Sequence, residues 1–182
     1  SCSVGQFFAR YPRYCISLLG VAFLGMFHCM TENYLIAIVT PLGGDSSTVG
    51  TALFISSLVA GPVIFFFSRI RSRLSDAAIL KLAGVSFLVK AVGFLLARSL
   101  GAIYALELLQ LTSYGLLAPA QVSYASSMVR AADMVKGQAF ITAFYALGCA
   151  AGNFAGGQLL GYGVRAILLA GIAMAAAGTL IL

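Results

Sequence analysis

Apolar residues fill this chain in six long runs, at Tyr14–Leu42, Val49–Ser68, Ala77–Ala97, Ala102–Met128, Gly137–Leu160 and Val164–Leu182. Between them lie only the brief connectors GGDSS, RIRSRLSD, RSLG, RAADMVK and GYG. A helix of about 20 residues crosses the hydrocarbon core of a bilayer, so each run predicts a transmembrane helix. Connectors this short force antiparallel neighbours, and the first and fourth runs are long enough to tilt or to project beyond the membrane. The expected fold is an all-α membrane protein, a helical bundle that makes residues 1–182 a single transmembrane domain. The runs divide into two stretches of three, Tyr14–Ala97 and Ala102–Leu182. Three is odd, so the second set runs with inverted topology, and paired inverted three-helix repeats are a signature of secondary transporters.

Composition agrees with lipid as the solvent. Hydrophobic residues make up 61% of the chain, charged residues 9%, and mean hydropathy is +1.01; no single soluble core could hide that much apolar surface. The net charge of +6 is unevenly placed. Arg10, Arg13, Arg69, Arg71, Arg73, Lys81, Arg130 and Lys136 fall on the side of the N-terminus, and only Arg98 and Arg165 on the other. That asymmetry puts the N-terminus and both basic loops in the cytoplasm of a cell in whose inner or plasma membrane the chain sits. Topology alone accounts for RIRSR, with a lipid-headgroup or regulatory role as the alternative. No polar segment interleaves basic and aromatic residues, so a nucleic-acid partner is not expected. Arg10 and Arg13 before an apolar run resemble a signal peptide in outline only, because the run is too long and is followed by more of the same. The chain starts without Met and stops inside an apolar run, which reads as a piece of a longer membrane protein. Cys2, Cys15, Cys29 and Cys149 form no CxxC pair, and buried reduced thiols are expected of them rather than a disulfide or a metal site.

Once the charges near the ends of the runs are set aside, those inside are few: His28 and Glu32 in the first, Lys90 in the third, Glu107 in the fourth. An ionised group at mid-membrane costs roughly 2.5–3.5 kcal/mol on insertion scales, which makes each one a functional candidate. Counted from the outer ends of their runs, Glu32, Lys90 and Glu107 lie about nine, seven and six residues deep, within a helical turn of one level. Glu107, Gln110, Tyr114 and Gln121 recur at helical spacing and form a polar stripe that must face a cavity or a polar neighbour. Lys90 shares its face with Ala83, Ser86 and Gly93 and so points into protein, while His28 and Glu32, at i and i+4, share a face with Gly25. Two readings follow. In one, Lys90 makes a structural ion pair with Glu107 or Glu32, and His28 is a hydrogen-bonded bystander. In the other, two carboxylates share one lysine, the spare one carries a proton with His28 as its partner, and Asn33, Gln110, Tyr114 and Gln121 line a solute cavity.

Gly148, Gly152 and Gly156 form a small-residue ridge for close helix packing. Gly61-Pro62 and Pro119 are expected to kink their helices. HExxH, GxSxG and GxxxxGK[ST] are all missing, and the segment at His28 reads HCMTE. No enzyme activity, cofactor or metal is therefore expected.

Three segments carry a family resemblance: NYLIAIVTPLGGDSSTVGTALFISSLVAGPVIFFFS (Asn33–Ser68), LQLTSYGLLAPAQVSYA (Leu109–Ala125) and KGQAFITAFYALGCAAGNFAGGQLLGYG (Lys136–Gly163). The chain resembles the C-terminal six-helix half of a major facilitator superfamily transporter. It is most similar to the lactose-permease-like branch, with its oligosaccharide–proton and nucleoside–proton symporters and phenylpropionate-type permeases. The resemblance implies alternating access by rocking of two halves. The first and fourth spans would line the cavity, the second and fifth would face a missing N-terminal half, and the third and sixth would be peripheral. It departs from relatives at Gly61, where many carry Glu before the Pro, and at Gly161, where many carry an acid. The expected function is secondary active transport, proton-coupled, of a small polar solute such as a sugar or nucleoside. Its expected partners are the lipid bilayer, the solute, protons and the missing half. The alternatives are a non-transporting six-helix protein that oligomerises, or an exporter or permease for an aromatic acid or drug.

Overall fold

The computed structural model describes residues 3–182, and among these the regular structure is helical throughout. Six helical segments are long and apolar enough to cross a membrane: Pro12–Asn33, Ser46–Phe65, Asp76–Leu96, Leu100–Met128, Ala131–Leu160 and Val164–Ile181. Side-chain caps define several starts. Asp45 accepts from the Thr48 amide at 2.9 Å ahead of the helix Ser46–Phe65, and Ser75 caps Asp76–Leu96. Pro12 opens the first span, where its missing N–H has no helical partner to lose.

A short helix α1 (Val4–Arg10) precedes the spans and was not expected from the apolar pattern. A capping box joins Ser3 and Gln6 at its start, and its Phe7 is buried against Tyr14 and Phe140. The first span then differs from an unbroken helix. Helix α2 (Pro12–Asn33) stops at Tyr34, whose φ of −104° and ψ of 17° leave the helical region, and α3 (Leu35–Val39) and a 3-10 turn carry the chain on to Leu42. Gly43, at φ 83°, ends it in a conformation suited to glycine. Helix α4 (Ser46–Phe65) runs through Pro62 and breaks instead at Phe66, before α5 (Phe67–Arg71). Helix α6 (Asp76–Leu96) is continuous. The fourth span is divided into α7 (Leu100–Glu107), a 3-10 turn over Leu108–Leu111 and α8 (Tyr114–Met128). The expected stripe on one continuous helix is corrected accordingly: Glu107 and Gln110 lie on one side of the interruption and Tyr114 and Gln121 on the other. Helix α9 (Met134–Leu160) and α10 (Val164–Ile181) complete the bundle.

The glycine ridge of α9 lies directly on α2. A Cβ on Gly148 or Gly152 would run into the main chain of Ala22 or Met26, and one on Gly156 into the ring of Tyr34. This close approach brings the Cα atoms of Cys29 and Cys149 to 5.0 Å, and the two form a disulfide. The expectation of reduced thiols is thereby corrected for this pair; Cys15 is free, and Cys2 lies outside the described residues. Apolar clusters fill the bundle between the spans, around Phe27 and Phe87 in one layer and around Ile38, Phe94 and Ile103 in another. Large apolar side chains such as Phe54, Leu58, Leu147 and Phe154 stay exposed on the outside of α4 and α9. These are the faces that a bilayer or further protein must cover.

Candidate functional site

Lys90 sits about two-thirds of the way along α6, on a buried face with Ala83 and Ser86, and is 1% exposed. Its ammonium donates to Glu107 Oε2 at 2.8 Å, to Glu32 Oε1 at 3.0 Å and to Gln110 Oε1 at 3.0 Å. All three of its hydrogens are therefore in use. Glu107 is fully buried at the last turn of α7, and Gln110 lies in the 3-10 turn that follows. Glu32 stands one residue before the end of α2, and its side chain keeps 16% exposure. The three charged groups thus meet where both broken spans are interrupted.

Side-chain bonds to other spans hold the interruptions. The Tyr34 hydroxyl donates to the Asn153 carbonyl at 2.9 Å, which anchors the end of α2 to α9. Between α7 and α8, the Ser113 hydroxyl donates to Gln110 Oε1 at 3.4 Å. That carbonyl oxygen, already bound to Lys90, holds the non-helical segment in place. Glu107 Oε1 and Gln121 Oε1 are buried and have no hydrogen-bond partner among the described residues. With both acids ionised the cluster carries two negative charges against one positive, and a single added proton makes it neutral.

Next to the cluster lies a cavity of about 460 Å³ lined by His28, Glu32, Ser56, Ser57, Gln110 and Tyr114, with Gly61 open at its wall. The imidazole of His28 stacks on Tyr114, with centroids 4.7 Å apart and planes 15° from parallel, and Phe87 lies 5.6 Å away. His28 thus packs against rings and makes no hydrogen bond to Glu32 among the described residues. Asn33 turns to α9, where its amide donates to Asn153 Oδ1 at 2.7 Å, and it does not line this cavity. Gln121 is buried in α8 away from it. Reading the sequence overlooked Ser56, Ser57 and Asn153. The adjacent serines inside an apolar run and the lone asparagine of the glycine ladder were the available signals.

No curated protein and no solved structure matches the chain. The family described as "MFS_1 like family" matches it over residues 5–169, which takes in the first five spans and only the start of the sixth. With six membrane-crossing helices disposed as half of a major facilitator fold, this multi-pass membrane protein belongs to the MFS_1 like family, whose type is that of the transporters.

Proposed function

We propose that the chain is the C-terminal half of a proton-coupled transporter for a small neutral polar solute, a sugar or a nucleoside, in the lactose-permease-like branch. One observation carries the reading. Two carboxylates share Lys90 beside a polar cavity, at the points where two spans lose their helical hydrogen bonding. Discontinuous spans that bring polar groups to mid-membrane are a recurring construction of binding sites in secondary transporters. Glu107 and Glu32 are the proton carriers in this proposal, and Lys90 is their counter-charge. Glu32, at the cavity edge, exchanges the proton; Glu107 Oε1, buried without a partner, is the oxygen we assign to it. Ser56, Ser57, Gln110 and the His28–Tyr114 stack receive the solute. Acids outnumber bases in the cluster, and the arginines within the spans, Arg13 and Arg165, stand in first turns at the ends of the bundle, which disfavours an anion. The exposed apolar faces of α4 and α9 receive the missing N-terminal half, and the basic end of the bundle faces the cytoplasm.

The second reading, a purely structural cluster, is favoured by the fact that every Lys90 hydrogen already has a protein acceptor. Uptake of a disaccharide and of a nucleoside into vesicles, driven by a proton gradient through the full-length protein, separates the two. Glu32→Gln and Glu107→Gln are each expected to lower gradient-driven accumulation at least tenfold while the protein remains folded. Retention of accumulation by both variants would sink the coupling assignment and leave the structural reading.

A further inference from the structure

The segment RIRSR carries three arginines, and the structure gives them two different surroundings. Arg71 turns inward: its Nε and Nη2 donate to the two oxygens of Asp76 at 3.0 and 3.3 Å, and Asp76 also accepts from the Ser123 hydroxyl at 2.8 Å. Arg69, in α5, and Arg73, in the turn that follows that helix, flank Arg71 in sequence and stand with Phe66, Ile70 and Leu74 instead. These five side chains line a groove of about 580 Å³. Both guanidinium groups are exposed, and neither has a hydrogen bond or an ion pair among the described residues.

The chain itself offers them no acid. Of its five carboxylates, Glu32 and Glu107 hold Lys90, Asp76 holds Arg71, Asp133 accepts from Arg10 and Tyr11, and Asp45 caps α4 at the opposite end of the bundle. Depth then narrows the occupant. Helix α4 has 20 residues and covers about 30 Å, the thickness of the hydrocarbon core. Phe65 and Phe66 therefore stand at the boundary, and Arg69 and Arg73 at the level of the headgroups.

We propose that this groove is a binding site for an anionic phospholipid. A guanidinium fork matches two phosphate oxygens, and two such forks on one groove can clamp one phosphodiester. Phe66, Ile70 and Leu74 supply the apolar wall along which an acyl chain lies. A zwitterionic headgroup would bring its ammonium beside two arginines with no carboxylate to receive it, so the site selects headgroups without a cation.

The test is native mass spectrometry of the full-length protein titrated with phosphatidylglycerol and with phosphatidylcholine. The parent protein is expected to retain phosphatidylglycerol preferentially. Arg69→Gln/Arg73→Gln is expected to weaken that binding about tenfold or more, in line with the attraction of each basic residue for an anionic surface, and to leave phosphatidylcholine unchanged. Arg69→Lys/Arg73→Lys keeps the charge but loses the forks and is expected to bind between the parent and the glutamine variant, and Arg98→Gln/Arg165→Gln, at the other end, changes nothing. If the double glutamine variant fails to fold, the single variants are read instead, each expected to lose severalfold. The proposal is overturned if the parent binds both lipids equally. It is also overturned if neutralising Arg69 and Arg73 leaves phosphatidylglycerol retention intact, as it would were an acidic segment of a longer chain seated on this face.

Discussion

The ammonium of Lys90 has three hydrogens, and Glu32, Glu107 and Gln110 take one each. Removing it alone leaves two carboxylates without a counter-charge in a low-dielectric interior, which costs about 3–5 kcal/mol when a buried pair is broken from one side. Lys90→Met is therefore expected to lower the thermal unfolding midpoint in detergent, and Lys90→Met/Glu32→Gln/Glu107→Gln to recover most of the loss. Equal melting of the single and triple variants would show that charge is not what the cluster balances. The meeting of these groups could be read in advance because a charge stands out in an apolar run and helical rise fixes its depth. The direction of Asn33 could not. A residue beside a helix break is turned by the break itself, and here it faces Asn153. A milder effect belongs to Asp45, whose bonds to the Thr48 amide and hydroxyl hold its carboxyl below the ordinary value. A depressed carboxyl stabilises the fold above its unfolded value and loses that contribution as pH falls through the folded one. Asp45→Ala should thus melt earlier than the parent at neutral pH and converge with it in acid; a constant difference across the range would rule out the ionised cap.

The existence of the six membrane-crossing helices was legible, since long apolar runs between charged connectors leave no other backbone solution in lipid, whereas the short α1 before them was not. Helix continuity was not. The prolines at Pro62 and Pro119 marked places of lost hydrogen bonding, yet both helices run through them, because one missing i→i−4 bond is a local loss. The interruptions fall at Tyr34 and Leu108–Ser113, where side chains of the interrupted segments, Tyr34 and Gln110, bond to other spans, and such partners are invisible in a local window. The same limit hid the Cys29–Cys149 pair, 120 residues apart. Contact between α2 and α9 is set by glycine. Gly152→Ala is expected to destabilise the bundle by about 1–3 kcal/mol, since its Cβ meets the Met26 main chain rather than a flexible side chain. Gly50→Ala, with open space around it in α4, should be neutral or slightly stabilising. Comparable melting of the two variants would contradict the close approach.

At the scale of the molecule, basic residues gather at one end of the bundle. The start of α2, the end of α4, the starts of α6 and α9 and the end of α8 meet there, while Arg98 and Arg165 mark the other end. If that end is cytoplasmic, Ser47→Cys should react with a membrane-impermeant maleimide on intact cells, and Ser72→Cys only after the cells are opened. The opposite pattern would invert the topology. Membership of the MFS_1 like family was foreshadowed by the quoted segments and by the three-plus-three division of spans. The solute was not, because in the proposed reading half of the cavity belongs to a second body.

The bond between Cys29 and Cys149 also decides how the chain bears mechanical load. It closes a loop of 120 residues that contains all of α3 to α8. Tension applied at the two ends passes across the bridge and bypasses the spans that carry Lys90 and Glu107. About 400 Å of extended chain is then withheld from the pulling force until a reductant opens the link.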